Sequence, residues 1–215
     1  YDNILKAVHY LLSGNIGEIM VMLLATLLAL PLPLLPVQIL WINLVTDGFP
    51  ALALAEDPSD QDIMRRPPRH PEVRFLERDR IFIMFGQGMF IALITLAAFA
   101  SCLYSTDKDL ALARTVAFNV LVFAHLVHAF NCRSDRSSVF KIGLWTNRSL
   151  LLATVASAVL QVTIVLTPWT RDVFKVAPLN PEHWVLAFGL GILPLLAMEL
   201  WKAALRNRPC RSQAS

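Results

Sequence analysis

Six apolar stretches, each about the 20 residues a helix needs to cross a bilayer, constrain this chain more than any other feature. They fall at roughly residues 10–30, 36–55, 80–104, 110–131, 149–168 and 183–204 of the 215. Hydrophobic residues make up 56% of the chain and charged ones only 16%, so lipid rather than water is the expected solvent. The expected fold is all-α, a polytopic membrane bundle of six transmembrane helices.

Charge sets the orientation. The segment from Glu56 to Asp79 carries Arg65, Arg66, Arg69, Arg74 and Arg78; the segment after Asn131 carries Arg133, Arg136, Lys141 and Arg148; the tail carries Arg206, Arg208 and Arg211. The positive-inside rule makes these segments, and with them both termini, cytoplasmic. A net charge of +3, spread over short connections, gives no basic surface for nucleic acid, and none is expected as a partner. RRPPRHP (65–71) reads as a stiff proline-rich loop. Trp145 and Trp201 fall near cytoplasmic ends of spans, Trp169 and Trp184 near opposite ends, as interfacial anchors do. Cys102, Cys132 and Cys210 are widely spaced with no CxxC pair, a pattern that indicates neither a disulfide framework nor a thiolate metal site. Residues 1–9 lack the order of a signal peptide, so the chain is expected to open mid-architecture.

The informative residues are those that hydrocarbon penalises, at a cost on the order of 3 kcal/mol for an ionisable group at a helix centre. In the first span Asn15 and Glu18 are three apart; in the second Asn43, Thr46 and Asp47 fall at i, i+3 and i+4, so each set shares a helix face. At 1.5 Å per residue, Glu18 and Asp47 each lie about 12 Å from the cytoplasmic end of their span, and His125 in the fourth span about 9 Å from its own. Three helices can therefore line one layer. Carboxylate and amide oxygens are the donors that hard cations such as calcium prefer, with backbone carbonyls completing the shell. The run Asp47-Gly48-Phe49-Pro50 is expected to unwind the second span and free such carbonyls. Interhelical hydrogen bonding alone is the competing explanation. Two carboxylates at one depth without a basic partner repel, however, unless a cation or protons neutralise them. Gln87, Gln161 and Glu199 read as packing hydrogen bonds, and His128, one turn from His125, as an interfacial histidine.

YLLSGNIGEI (10–19), LPVQILWINLVTDGFPALALAEDP (35–58) and DIMRRPPR (62–69) closely resemble the carboxyl-terminal membrane region of P-type calcium ATPases. The resemblance is most specific in the second span and the loop after it, and weakest in the last three spans. It implies that the six helices correspond to the fifth to tenth of a ten-helix pump. It also implies that Asn15, Glu18, Asn43, Thr46 and Asp47 are metal ligands, with Asp47 bridging two ion positions. One position would use Asn43 and Asp47 with a glutamate and carbonyls from a fourth helix outside this chain. The other would use Asn15, Glu18, Thr46 and Asp47. His125 stands where the family usually places an acid, and imidazole is a poor calcium ligand, so His125 is expected to modify the site and limit transport to one calcium per cycle.

The transported ion is thus expected to be Ca2+, with Mn2+ as the alternative because it too takes oxygen ligands. DKTG, TGES-like and GDGxND motifs are absent from the 215 residues. Without an aspartyl nucleophile placed for phosphoryl transfer, the chain is expected to be one part of a pump whose Mg2+ and ATP are handled by an amino-terminal portion with four further helices. The expected location is the membrane, as an integral multi-pass protein, with a bacterial plasma membrane favoured. Two other classes compete: a passive module, either channel or scaffold, and a secondary cation transporter. Neither a scaffold nor an ordinary packing role needs two carboxylates at one depth.

Overall fold

The computed structural model describes residues 2–58, 78–105, 109–134 and 138–206. The RRPPRHP loop and the tail arginines Arg208 and Arg211 lie outside them. Nine α-helices occur among the described residues, with no strand: α1 (Asp2–Leu27), α2 (Pro36–Trp41), α3 (Gly48–Ala55), α4 (Arg78–Ser105), α5 (Leu110–Asn131), α6 (Val139–Ile142), α7 (Arg148–Leu166), α8 (Pro168–Phe174) and α9 (Pro181–Arg206). Six helical segments are long and apolar enough to span a bilayer: Asp2–Leu27, Pro36–Ala55, Arg80–Ser105, Leu110–Asn131, Arg148–Leu166 and Pro181–Ala204.

Local chemistry places the ends of these helices. α1 stops where Ala29 turns into the left-handed region at φ 52° and Leu30 N–H bonds back to the Ala25 carbonyl at 2.9 Å; Pro31 and Pro33 cannot continue a helix. Pro36 sits in the first turn of α2, where its missing N–H costs nothing. Asp109 caps α5 by accepting from the Ala111 and Leu112 N–H groups, both at 3.0 Å, and Asn147 caps α7 through Leu150 N–H at 2.8 Å.

α5 is the centre of the bundle: 72% of its most apolar window is buried, against 17% for the last span. Its main packing partners are α4, α9 and α7, and the apolar residues between Val116 and Leu126 form the middle of the main apolar core. α1 packs along α4 through a close approach. A Cβ on Gly88 would stand 2.6 Å from the Ser13 carbonyl oxygen, so only glycine admits this contact. α9, with Leu186, Ile192 and Leu200 exposed, presents apolar surface outward, as expected of a lipid-facing helix.

The second span departs from expectation. It does not unwind at Asp47-Gly48-Phe49-Pro50; it stays helical and widens into a π-turn over Ile42–Thr46, with Asp47 N–H reaching the Ile42 carbonyl at 2.8 Å before α3 resumes at Gly48. The physical reason lies in Pro50. It has no N–H to offer the Thr46 carbonyl four residues back, and a single wide turn absorbs the mismatch at less cost than a break in the ladder. Tyr10 Oη approaches the Thr46 carbonyl at 3.4 Å and Ser157 Oγ the Val45 carbonyl at 3.4 Å, so neighbouring helices serve the oxygens that the turn exposes.

Candidate cation site

Helical spacing stacks Tyr10, Gly14 and Glu18 on one face of α1. Each meets the cluster centred on the π-turn. Tyr10 Oη donates to Asp47 Oδ1 at 3.0 Å. A Cβ on Gly14 would lie 3.1 Å from His125 Cε1 and 3.4 Å from Asp47 Oδ2, so this glycine is what lets α5 and the second span close on α1. Glu18 Oε2 accepts from Asn43 Nδ2 at 2.8 Å, and the same amide nitrogen also donates to the Ile39 carbonyl at 3.0 Å.

From α5, His125 Nδ1 lies 3.0 Å from Asp47 Oδ1, and the two form a buried imidazole–carboxylate pair. One donor atom from each of Glu18, Asp47 and His125 lies within 4.8 Å of the other two, and all three residues are buried. Glu18 Oε1, Thr46 Oγ1, Asp47 Oδ2 and His125 Nε2 are buried without a hydrogen-bond partner, half of the eight such atoms among the described residues. Native proteins rarely tolerate this, since each unmet polar group costs on the order of 1–3 kcal/mol. No lysine or arginine forms an ion pair with Glu18 or Asp47 among the described residues. The cluster is therefore electron-rich, short of positive charge and supplied with oxygen donors from two helices. That combination accommodates a hard cation.

The residues singled out in the sequence divide accordingly. Glu18, Thr46, Asp47 and His125 converge, with Asn43 attached to Glu18 from a position that is itself exposed. Asn15, three residues before Glu18, is half-buried and has no hydrogen bond to the cluster among the described residues. Gln161 bridges Trp41 Nε1 at 3.0 Å and Asn119 Oδ1 at 3.2 Å, a packing role. Glu199 holds Ser138 and the Val139 N–H. Trp145 and Trp169 are exposed.

Three participants were not singled out. Tyr10 and Gly14 had a signal, the spacing i, i+4, i+8 that ends at Glu18. Asp57 had none in its local sequence. Its carboxylate accepts from Lys6 Nζ at 2.7 Å, Arg133 Nε at 3.0 Å and Asn147 Nδ2 at 2.8 Å, while its carbonyl takes Asn3 Nδ2 at 2.6 Å. One side chain thus ties the start of α1, the end of α3, the end of α5 and the start of α7 at one end of the bundle.

Known proteins resemble this chain along most of its length. A family model described as cation transporting ATPase, C-terminus, matches residues 31–204; α1 precedes the matched segment. The chain is 42% identical over 194 residues to a calcium-transporting ATPase of Bacillus subtilis, covering 90% of this chain and 22% of that protein. It is 40% identical over 222 residues to calcium-transporting ATPase 1 of Bacillus cereus, covering 96% and 25%. To the endoplasmic reticulum calcium ATPase srcA of Aspergillus fumigatus it is 30% identical over 238 residues, covering 96% and 24%. The chain therefore spans 22% to 25% of the length of these relatives.

Proposed function

The chain belongs to the family of cation-transporting ATPase C-terminal regions, and from that premise we propose that it is the transport half of an ATP-driven calcium pump, with Glu18, Asn43, Thr46 and Asp47 as ion ligands and Asn15 at the edge of the set. The observation that carries this reading is the buried Glu18–Asp47–His125 cluster, whose carboxylate oxygens Glu18 Oε1 and Asp47 Oδ2 have no protein partner. A calcium ion supplies the charge these oxygens lack and accepts several at once. The names of the bacterial relatives agree with calcium as the cargo.

The side chains here are too few for a shell of six to eight oxygens. The exposed Asn43 and Leu44 mark the side of the second span on which ligands from an amino-terminal portion of the pump, with its four further helices, complete the shell. Phosphorylation, Mg2+ and ATP belong to that portion, because no aspartyl-phosphate motif occurs in these 215 residues. Movement of α1 then couples phosphorylation to the site. Both termini face the cytoplasm of a bacterial plasma membrane in this reading, in keeping with the arginine-bearing connections.

His125 already engages Asp47 Oδ1, so it uses an oxygen that a second ion would need. One calcium per cycle follows. The test is calcium-dependent phosphorylation of the full-length pump: Asp47→Asn abolishes it and Glu18→Gln weakens it less, while phosphorylation that survives Asp47→Asn unchanged refutes the assignment. In the same preparations, calcium bound per phosphorylatable pump is near one, and a ratio near two in the unmodified protein overturns the role given to His125. Mn2+ competing as strongly as Ca2+ would reassign the cargo.

A further inference from the structure

A second cluster of metal-binding side chains lies on the same helices, outside the calcium ligand set. His9 on α1, His128 on α5 and Cys132 just after α5 are all buried, and one ligand atom from each lies within 4.8 Å of the other two. We infer that His9, His128 and Cys132 form a binding site for a borderline divalent transition metal of the zinc class, separate from the transported ion.

The chemistry of the donors sets the class. Two imidazoles and a thiolate suit zinc and its neighbours and are poor partners for calcium. The spacing of one donor pair is close to what such an ion requires. A bond of about 2.0 Å to an imidazole nitrogen and about 2.3 Å to a thiolate, at the tetrahedral angle, set the two donors about 3.5 Å apart; His128 Nε2 and Cys132 Sγ are 3.3 Å apart. Cys132 caps the end of α5 one turn beyond His128, and its N–H bonds to the His128 carbonyl at 3.1 Å, so the helix end presents the two as a preformed pair.

The surrounding hydrogen bonds orient the rings. Gln87 Oε1 lies 2.6 Å from His9 Nε2 and can only accept, so His9 keeps its proton on Nε2 and its lone pair on Nδ1. A carbonyl behind a histidine is the usual support of a metal-bound imidazole. Ser13 Oγ lies 2.8 Å from His128 Nε2. Binding displaces the thiol proton of Cys132 to solvent and moves the His128 proton from Nε2 to Nδ1. The shift gives up the Nε2–H contact with Ser13 Oγ and leaves the Nδ1 proton without an acceptor among the described residues, a cost that the metal bonds offset. Three protein donors leave the fourth tetrahedral position open. A cavity of about 370 Å³ between α4 and α9, lined mostly by apolar side chains together with Gln87, reaches His128. An ion held here ties α1 to α5 one turn from the calcium cluster, and so restrains motion of α1.

The experiment titrates the purified full-length protein, carrying Cys102→Ser and Cys210→Ser, with Co2+ as a spectroscopic stand-in for zinc. One equivalent of Co2+ should give a thiolate-to-metal charge-transfer band and tetrahedral visible bands, both bleached by Zn2+. Cys132→Ser removes the charge-transfer band, and Gln87→Ala, which takes the acceptor from behind His9 without removing a ligand, weakens binding by roughly 10–100-fold. Asp47→Asn leaves the bands in place, so loss of calcium transport and loss of this site are read separately. No charge-transfer band in the parent protein, a band that survives Cys132→Ser, or one abolished by Asp47→Asn overturns the proposal.

Discussion

Asp57 and Asp47 are both buried aspartates of the second span and its end, yet their surroundings are opposite. Asp57 is saturated: two cations and an amide occupy its oxygens, and Lys6 and Arg133 are themselves mostly buried, at 12% and 2% exposure. Asp47 has a tyrosine hydroxyl and an imidazole on one oxygen and nothing on the other. A carboxylate whose valence is met by the protein holds helices together. One left short of positive charge is available to an ion. The same residue type thus serves fold in one place and transport chemistry in the other, and the partners decide which.

The largest effect that would break this contrast is on stability. Asp57→Asn leaves two buried cations without a counter-charge and should cost about 3–5 kcal/mol. Asp47→Asn should change stability by no more than about 1 kcal/mol, since it removes an unmet acceptor rather than a satisfied one. Thermal unfolding of the purified protein checks both, and equal losses would erase the distinction between the two sites. Calcium-dependent phosphorylation should show the reverse order among whatever folded protein remains.

A smaller effect sharpens the comparison at two of the glycine contacts of α1. Gly88→Ala drives a Cβ to 2.6 Å from the Ser13 backbone, and should cost about 1–3 kcal/mol of stability. Gly14→Ala meets His125 at 3.1 Å. There the helix-propensity gain of about 1 kcal/mol offsets most of the crowding, while His125 and Asp47 shift. Its signature should be near-parental stability with calcium affinity lowered roughly tenfold, equal to 1.4 kcal/mol. An unchanged calcium affinity would mean that Gly14 serves packing only. The smallest effect belongs to Tyr10→Phe, which deletes one hydrogen bond to Asp47 and should lower calcium affinity about fivefold, or about 1 kcal/mol, measured by calcium titration of phosphorylation.

Much was legible in the sequence because membranes make the rules strict. Spans follow from length and apolarity, since hydrocarbon tolerates little else. The polar faces Asn15/Glu18 and Asn43/Thr46/Asp47 follow from helical spacing, which is a local property, and so does the Tyr10–Gly14–Glu18 stripe once it is looked for. The Asp47-Gly48-Phe49-Pro50 run signalled an irregularity in the second span, but neither its place, one turn earlier at Ile42–Thr46, nor its form. Whether a helix breaks or widens depends on donors brought by other helices, here Tyr10 and Ser157.

What only the tertiary structure decided are contacts between residues far apart in the chain. His125 meets Asp47 across 78 positions and Ser13 meets His128 across 115, and no local pattern encodes either distance. Cys132 has no cysteine partner at metal-binding spacing; His128 stands one helical turn before it, but only folding brings His9 to the pair. Asp57 reads as an ordinary acid after a span until Lys6, Arg133 and Asn147 close on it. Periodicity determines which face of a helix is polar, whereas packing determines what that face meets, and for a buried carboxylate the difference between a structural tie and an ion ligand lies entirely in what it meets.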